Sequence, residues 1–229
     1  MKWKKISDND AKVFWDKTLN NFPDCNLFQS YSWGEFNKSY GQKVDRWACY
    51  NKDGEIISLL QTLVYEYPGI LIVLGWGGPV GNFSSKIKYL PKAILESTNK
   101  SNLYLRIFPH RSYDKKDEET LLSADWHRPK FKIHSGLSMF LDISKDEEYL
   151  LSKLSKNWKR NLNRSIKRKL DIKYWKNPDS NKIYDLNIKL AESKGIDRLK
   201  IWPKSEMITN KILKAFGDKI VMYRCLDNY

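Results

Sequence analysis

The chain has 229 residues, with 41 Lys and Arg against 27 Asp and Glu and a formal net charge of +14. Hydrophobic residues make up 41% and aromatic residues 14%, which excludes a disordered chain and allows one large or two modest domains. The charge favours anionic partners: nucleotides, nucleic acid, anionic lipid or a phosphorylated intermediate.

Lys2 to Ile6 reads as a short edge strand. Asp8 to Asn20 predicts a helix capped by Asp8 or Asp10, with Ala11, Phe14, Trp15 and Leu19 on its apolar face. Ser30 or Ser32 caps a second helix in which Trp33, Phe36 and Tyr40 share a face, and Gly41 stops it. Val44 to Tyr50 and Glu55 to Tyr67 read as strands joined by the turn signal Asn51-Lys52-Asp53-Gly54. Ile70 to Leu74 is a third strand, apolar on both faces and so central. A helix capped by Ser84 or Ser85 reaches about Thr98, with a kink or a later start at Pro91. Leu103 to Phe108 is a buried strand, Glu118 to Ala124 a short helix, and Met139 to Ile143 a strand.

Leu150 to Leu170 follows, with eight Lys and Arg and no acid. At 100° per residue Leu154, Trp158, Leu162 and Ile166 form one apolar stripe that needs a core. Lys153, Lys156, Arg160, Arg164 and Lys167 gather opposite it. A solvated face is the plain alternative. With no Asp or Glu on the helix to neutralise the cations, a phosphate or carboxylate site is the better reading. Asp171 to Trp175, Asn181 to Lys194, Pro203 to Phe216 and Lys219 to Leu226 then read strand, helix, helix, strand. The mixed order argues for α+β, or mixed α/β, and against a βαβ repeat. The last segment looks like the first cut short, so two related units are expected, the second incomplete.

Cys25, Cys49 and Cys225 form no C-x-x-C pair and read as reduced thiols of a cytosolic protein. The N-terminal residues do not read as a signal peptide, and the longest apolar run, Ile70 to Leu74, is too short to span a membrane. His110, His127 and His134 lack metal-ligand spacing, so no metal site is expected. The Gly75 to Gly81 loop is either a tight turn or a cleft wall on which Trp76 stacks a flat or sugar-like group. Arg106, in an apolar strand, must be paired or must reach a cleft.

Six motifs in order carry a family resemblance. They are Phe28-Gln29-Ser30 with Trp33-Gly34, Gly77-Gly78-Pro79-Val80, Leu103-Tyr104-Leu105-Arg106, Leu141-Asp142, the basic run Lys159 to Arg168, and Ala191 to Ile196. On these the sequence resembles the Fem family, the peptidoglycan interpeptide-bridge aminoacyltransferases, and the related Fem-like acyltransferases of the GNAT superfamily. The resemblance implies tandem GNAT-like domains, the first complete and the second partial. Residues 1–145 would form the acceptor-side domain. Residues 146–229 would hold the basic helix and the N-terminal part of the second domain. It implies an acceptor amine on a nucleotide- or lipid-linked cell-wall or surface-polysaccharide precursor. The donor would be aminoacyl-tRNA or acyl-CoA, a co-substrate, with no bound cofactor. A cytoplasmic enzyme, peripheral to the inner face of the membrane, fits that chemistry.

The chain departs from the family pattern in two ways. Members continue past the point matching Tyr229, into the remaining strands of the second domain and much of the donor site. The Gln/Arg-x-x-Gly-x-Gly loop of ordinary GNAT enzymes is absent. A truncated chain, with its own catalysis in question, is therefore expected. Trp33 and Trp76 are expected to line the acceptor cleft, and Arg106, Arg160 and Arg164 to hold diphosphate or carboxylate groups. No residue stands out as the catalytic base. The alternatives are a nucleic-acid-binding protein that uses the basic helix and a non-catalytic remnant that binds acceptor.

Overall fold

The computed structural model describes residues 2–131, 133, 139, 141–197 and 203–226. It divides into two compact units, Met1–His127 with Asp179–Lys219, and Arg128–Pro178 with Ile220–Tyr229. The architecture is mixed α+β.

The first unit is built on a sheet of β1 (Lys2–Ile6), β2 (Lys43–Tyr50), β3 (Ile56–Tyr67), β4 (Ile70–Gly77), the two-residue β5 (Val80–Gly81) and β6 (Asn102–Pro109). The strand order is β1-β2-β3-β4-β6, with β5 beside β3. Among the described residues of this sheet, only β4 and β6 run parallel. The expected hairpin forms: Asn51 N–H bonds to Glu55 O, and β2 pairs β3 antiparallel from Lys43↔Val64. β4 joins the same sheet through Tyr67↔Ile70, with Gly69 at φ 75° in the turn.

Strand alternation sends neighbouring side chains to opposite faces. Trp47, Cys49, Leu60, Val64, Leu71 and Val73 join Trp3, Phe83, Ile87, Leu90 and Ile94 on one face. The 3-10 segment Ser84–Tyr89 and α3 (Leu90–Glu96) cover it, with Pro91 in the first turn of α3. Ala48, Leu59 and Val80 pack on the other face against Ala11, Trp15 and Leu19 of α1 (Asp8–Leu19). Ser7, not Asp8 or Asp10, caps α1: its hydroxyl accepts from Asp10 N–H. Ser30 caps α2 (Tyr31–Ser39). α4 (Lys115–Ser123) follows β6. Farther along the chain, α7 (Ser180–Ser193) packs on α8 (Glu206–Phe216), and α8 on α2.

Three Trp residues, at positions 3, 15 and 47, are fully buried in these cores. The aromatic richness of the sequence is therefore in good part structural.

The second unit holds α5 (Glu147–Lys153), α6 (Lys156–Lys167) and an antiparallel pair, β7 (Asp171–Tyr174) and β8 (Tyr223–Leu226). The single helix expected from Leu150 to Leu170 is in fact two. Leu154 and Ser155 are both extended, and the Ser155 hydroxyl accepts from Trp158 N–H to start α6. A serine that bonds the backbone ahead of it competes with helix continuation. Leu154 and Lys153 therefore leave the faces assigned to them. Met139 and Leu141–Ile143 form no strand, and Phe140 lies outside the described residues. No helix among the described residues is long and apolar enough to cross a membrane.

Candidate functional site

Two of the six motifs meet in one buried polar node in the first unit. β3 and β4 pair as far as Leu63↔Leu74. Continuing that register would set Gln61 against Trp76, but there the strands part and the Gln29 amide bridges them. Gln29 Nε2 donates to Gln61 O (3.0 Å) and Trp76 O (2.7 Å), and its Oε1 accepts from Gln61 N–H (2.6 Å). The Gln61 side chain reaches back, donating to Phe28 O and Ser30 O. Its Oε1 accepts from Arg46 Nε at 2.8 Å. The Arg46 side chain is fully buried and also bonds Asp8 and Glu35, with its guanidinium 4.3 Å from the Tyr31 ring centroid.

The motif glycines fit around this node. A Cβ on Gly34 would lie 2.2 Å from Gln61 Oε1 and 2.3 Å from Arg46 Nη2. One on Gly78 would lie 2.6 Å from Gln29 Nε2. The Gly75 to Gly81 backbone is likewise engaged with protein. Gly78 N–H bonds Gly75 O, Phe108 N–H bonds Gly78 O, and Gly81 N–H bonds the Asp24 carboxylate. It is a packed turn in which the Gly78 and Gly81 amides bond to protein acceptors.

The Asp8 carboxyl is held below its ordinary value of 3.8, first by its hydrogen bond from Lys38, against the opposing effect of burial, with Arg46 adding its charge. A depressed carboxyl stabilises the fold above its unfolded pKa, and that contribution fades as pH falls through the lower folded value. Asp8→Asn is therefore expected to weaken the protein at neutral pH and to match wild type once pH drops below that folded value. Urea titrations across acidic pH check this. The effect is small because the Asp8 side chain is largely exposed.

Trp33 and Trp76 belong to two aromatic clusters, each tied to the node through the backbone: Phe28 O accepts from Gln61 and Trp76 O from Gln29. Phe28 meets Trp33 edge-on at 5.2 Å, and Trp33 packs on Phe36 at 5.5 Å. A Cβ on Gly77 would lie 3.0 Å from Phe28 Cβ, and the backbone carbonyl of the preceding residue, Trp76, accepts from Gln29. Trp76 stacks on Phe108 across β4 and β6, with centroids 4.4 Å apart and planes 5° from parallel. The Arg106 guanidinium lies 5.0 Å from the Phe108 centroid. All of Trp33, Trp76, Arg106 and Phe108 are half-buried. Half-buried rings of this kind present flat apolar faces.

Arg160 and Arg164 belong to the second unit. They lie one turn apart on α6 and, with Lys156, Asn157, Lys159, Asn163 and Lys167, border an open groove of about 480 Å³. Among the described residues no acid pairs with Lys156, Arg160, Arg164 or Lys167, while Lys159 Nζ donates to Ser152 O. Against expectation the apolar stripe of α6 meets no core among the described residues: Trp158 is 66% exposed, Leu162 37% and Ile166 64%.

The sequence reading missed Arg46 and Gln61, and it held Gln29 only as part of a motif, with no role. The reasoning applied to Arg106 applies equally to Arg46, which sits in a strand beside Trp47-Ala48-Cys49 and must be paired.

No family model matches the chain, and no curated protein matches it in sequence. Among solved structures it is similar to the crystal structure of FemX, with a TM-score of 0.74 and 18% identity over 96% of this chain. The chain thus has a Fem-type fold, as the motifs led us to expect, and spans 56% of the FemX chain.

Proposed function

We propose that this chain belongs to a Fem-like acyl- or aminoacyl-transferase acting on an amine of a nucleotide- or lipid-linked cell-wall or surface-polysaccharide precursor. The likeness to FemX over 96% of the chain carries the reading. The half-buried aromatic clusters around Trp33 and Trp76 and the unneutralised cations of α6 support it. In this reading Trp33 and Trp76 line the acceptor cleft. Arg106, Arg160 and Arg164 hold diphosphate or carboxylate groups, Arg160 and Arg164 by forked hydrogen bonds. Residues 1–145 serve the acceptor and residues 146–229 begin the second domain. An aminoacyl-tRNA or acyl-CoA donor delivers the activated carbonyl, and the protein contributes positioning and charge stabilisation. The work takes place in the cytoplasm.

Calorimetric titration of a nucleotide-linked cell-wall precursor tests the site. Arg160→Lys or Arg164→Lys keeps the charge and loses the fork, so binding is expected to weaken by on the order of 1.5 kcal/mol, as for a charged hydrogen bond. Lys153→Gln, on α5, is expected to do much less. Equal binding by all three variants and wild type sinks the assignment. A second reading, nucleic-acid binding, rests on the groove being lined by residues of α6 alone. It predicts that a duplex RNA binds with a steep salt dependence and that the precursor does not bind.

A further inference from the structure

Arg111 stands just past the end of β6, and each of its three side-chain nitrogens donates within the first unit. Nε and Nη2 reach Asp24 Oδ2 at 3.2 and 2.8 Å. Nη2 also donates to Gly81 O at 3.0 Å, and Nη1 to the Asp117 carboxylate, in the first turn of α4, at 3.0 Å. The guanidinium lies 5.1 Å from the ring centroid of buried Phe83. The Asp24 side chain is only 6% exposed, and its other oxygen accepts from Gly81 N–H at 2.9 Å. A planar fork spent on a carboxylate and a carbonyl is fixed in place and is not available to grip a ligand. Arg111 therefore differs from Arg160 and Arg164: its charge is used inside the protein.

Those bonds close the end of the turn that carries Trp76. The segment from Asp24 to Gln29 lies along the turn and holds it with three side chains. Gln29 Nε2 donates to Trp76 O, Asn26 Nδ2 donates to Gly77 O at 2.8 Å, and Asp24 accepts from Gly81 N–H. The first two ties are neutral. The Asp24–Arg111 contact is the charged one, and charge-assisted bonds are the stronger kind. Between the ties, Gly78 O accepts from Phe108 N–H. The β4–β6 ladder ends at Gly77↔Pro109, one step beyond Trp76↔Phe108. The stacked pair thus sits at the last rungs of the ladder, where the turn and its anchors set the spacing of the strands. Arg111 joins the turn, the Asp24 segment, the exit of β6 and α4 at one point.

We infer that Arg111 is a positioning residue of the acceptor site: through Asp24 and Gly81 it fixes the turn from which Trp76 enters its stack with Phe108. It acts within the acceptor site proposed above, and only the binding half of the test depends on that reading.

The first measurement needs no ligand. The full chain is labelled with 5-fluorotryptophan, and the Trp76 and Trp47 fluorine resonances are assigned from Trp76→Phe and Trp47→Phe. Arg111→Gln is expected to shift the Trp76 resonance and to leave that of Trp47, in the core on β2, in place. Asp24→Asn still offers an oxygen to Gly81 N–H and loses only the charged contact, so a smaller shift is expected; it carries the test should Arg111→Gln fail to fold. The second measurement is titration of the nucleotide-linked precursor in a double-mutant cycle. Arg111→Gln is expected to weaken binding on the order of tenfold in wild type and to add little in a Trp76→Ala background, the non-additivity of coupled residues. A merely structural role lowers both backgrounds by the same factor. An unmoved Trp76 resonance, joint movement of Trp76 and Trp47, or equal losses in the two backgrounds overturns the assignment. If wild type does not bind the precursor, the acceptor reading fails, and the fluorine shift alone decides whether Arg111 sets the Trp76 stack.

Discussion

Replacing Arg46 with Met is expected to destabilise the first unit by about 3 kcal/mol, near the lower end of the range for breaking a buried ion pair. The Arg46 side chain has no exposed surface, and its donors serve Gln61 Oε1, Tyr31 O, Asp8 and Glu35. Methionine fills much of the volume but returns none of those hydrogen bonds. Asp8 and Glu35 are partly exposed and can turn to water, which keeps the loss from being larger. Gln61 Oε1 cannot, because Gln61 is buried. Arg46→Lys is expected to cost nearly as much, since a single ammonium cannot span the set of acceptors that the guanidinium reaches. Urea unfolding followed by the fluorescence of buried Trp15 and Trp47 measures both. A loss under about 1 kcal/mol, the scale of an exposed pair, would show that the node is solvated and does not hold the sheet.

The fold was legible where a single physical signal dominates. Asp53-Gly54 between two β-rich runs specifies a hairpin, and the structure has it. Gly41, at φ 87°, and Pro91, in the first turn of α3, end or start helices where backbone sterics dictate. The break at Leu154–Ser155 was not legible, because helical periodicity runs through it and the competing signal is one serine hydroxyl. Nor was the splay between β3 and β4. It depends on a glutamine that lies 32 residues from Gln61 in the chain, and no local pattern encodes such a contact.

The motifs also change meaning once they are placed. Phe28-Gln29-Ser30, Trp33-Gly34 and Gly77-Gly78-Pro79 carry the resemblance, yet Gln29, Gly34 and Gly78 touch one another's surroundings and face the interior. Their first role is to tie the Phe28 segment to the backbone of Gln61 and Trp76.

Gln29→Leu is expected to be among the most damaging single replacements in the chain. Leucine matches the shape of the buried stem but offers no amide. Gln61 N–H, Gln61 O and Trp76 O would each lose the Gln29 partner across a gap where the strands no longer pair. Each buried group left unsatisfied costs about 1–3 kcal/mol, so a loss on the order of 4 kcal/mol is expected. Gln29→Glu separates the contributions. A carboxylate still accepts from Gln61 N–H but donates to neither carbonyl and brings an unpaired charge into a buried site, so it too is expected to destabilise strongly. Chemical unfolding of both variants measures these losses. In the folded fraction, the tie between the Phe28 segment and the Trp76 backbone depends on the same bridge, so the acceptor binding proposed for Trp33 and Trp76 should fall with it. Stability within about 1 kcal/mol of wild type for Gln29→Leu would mean that the strands close on each other without the bridge. The motif would then have to be explained by what it offers a ligand.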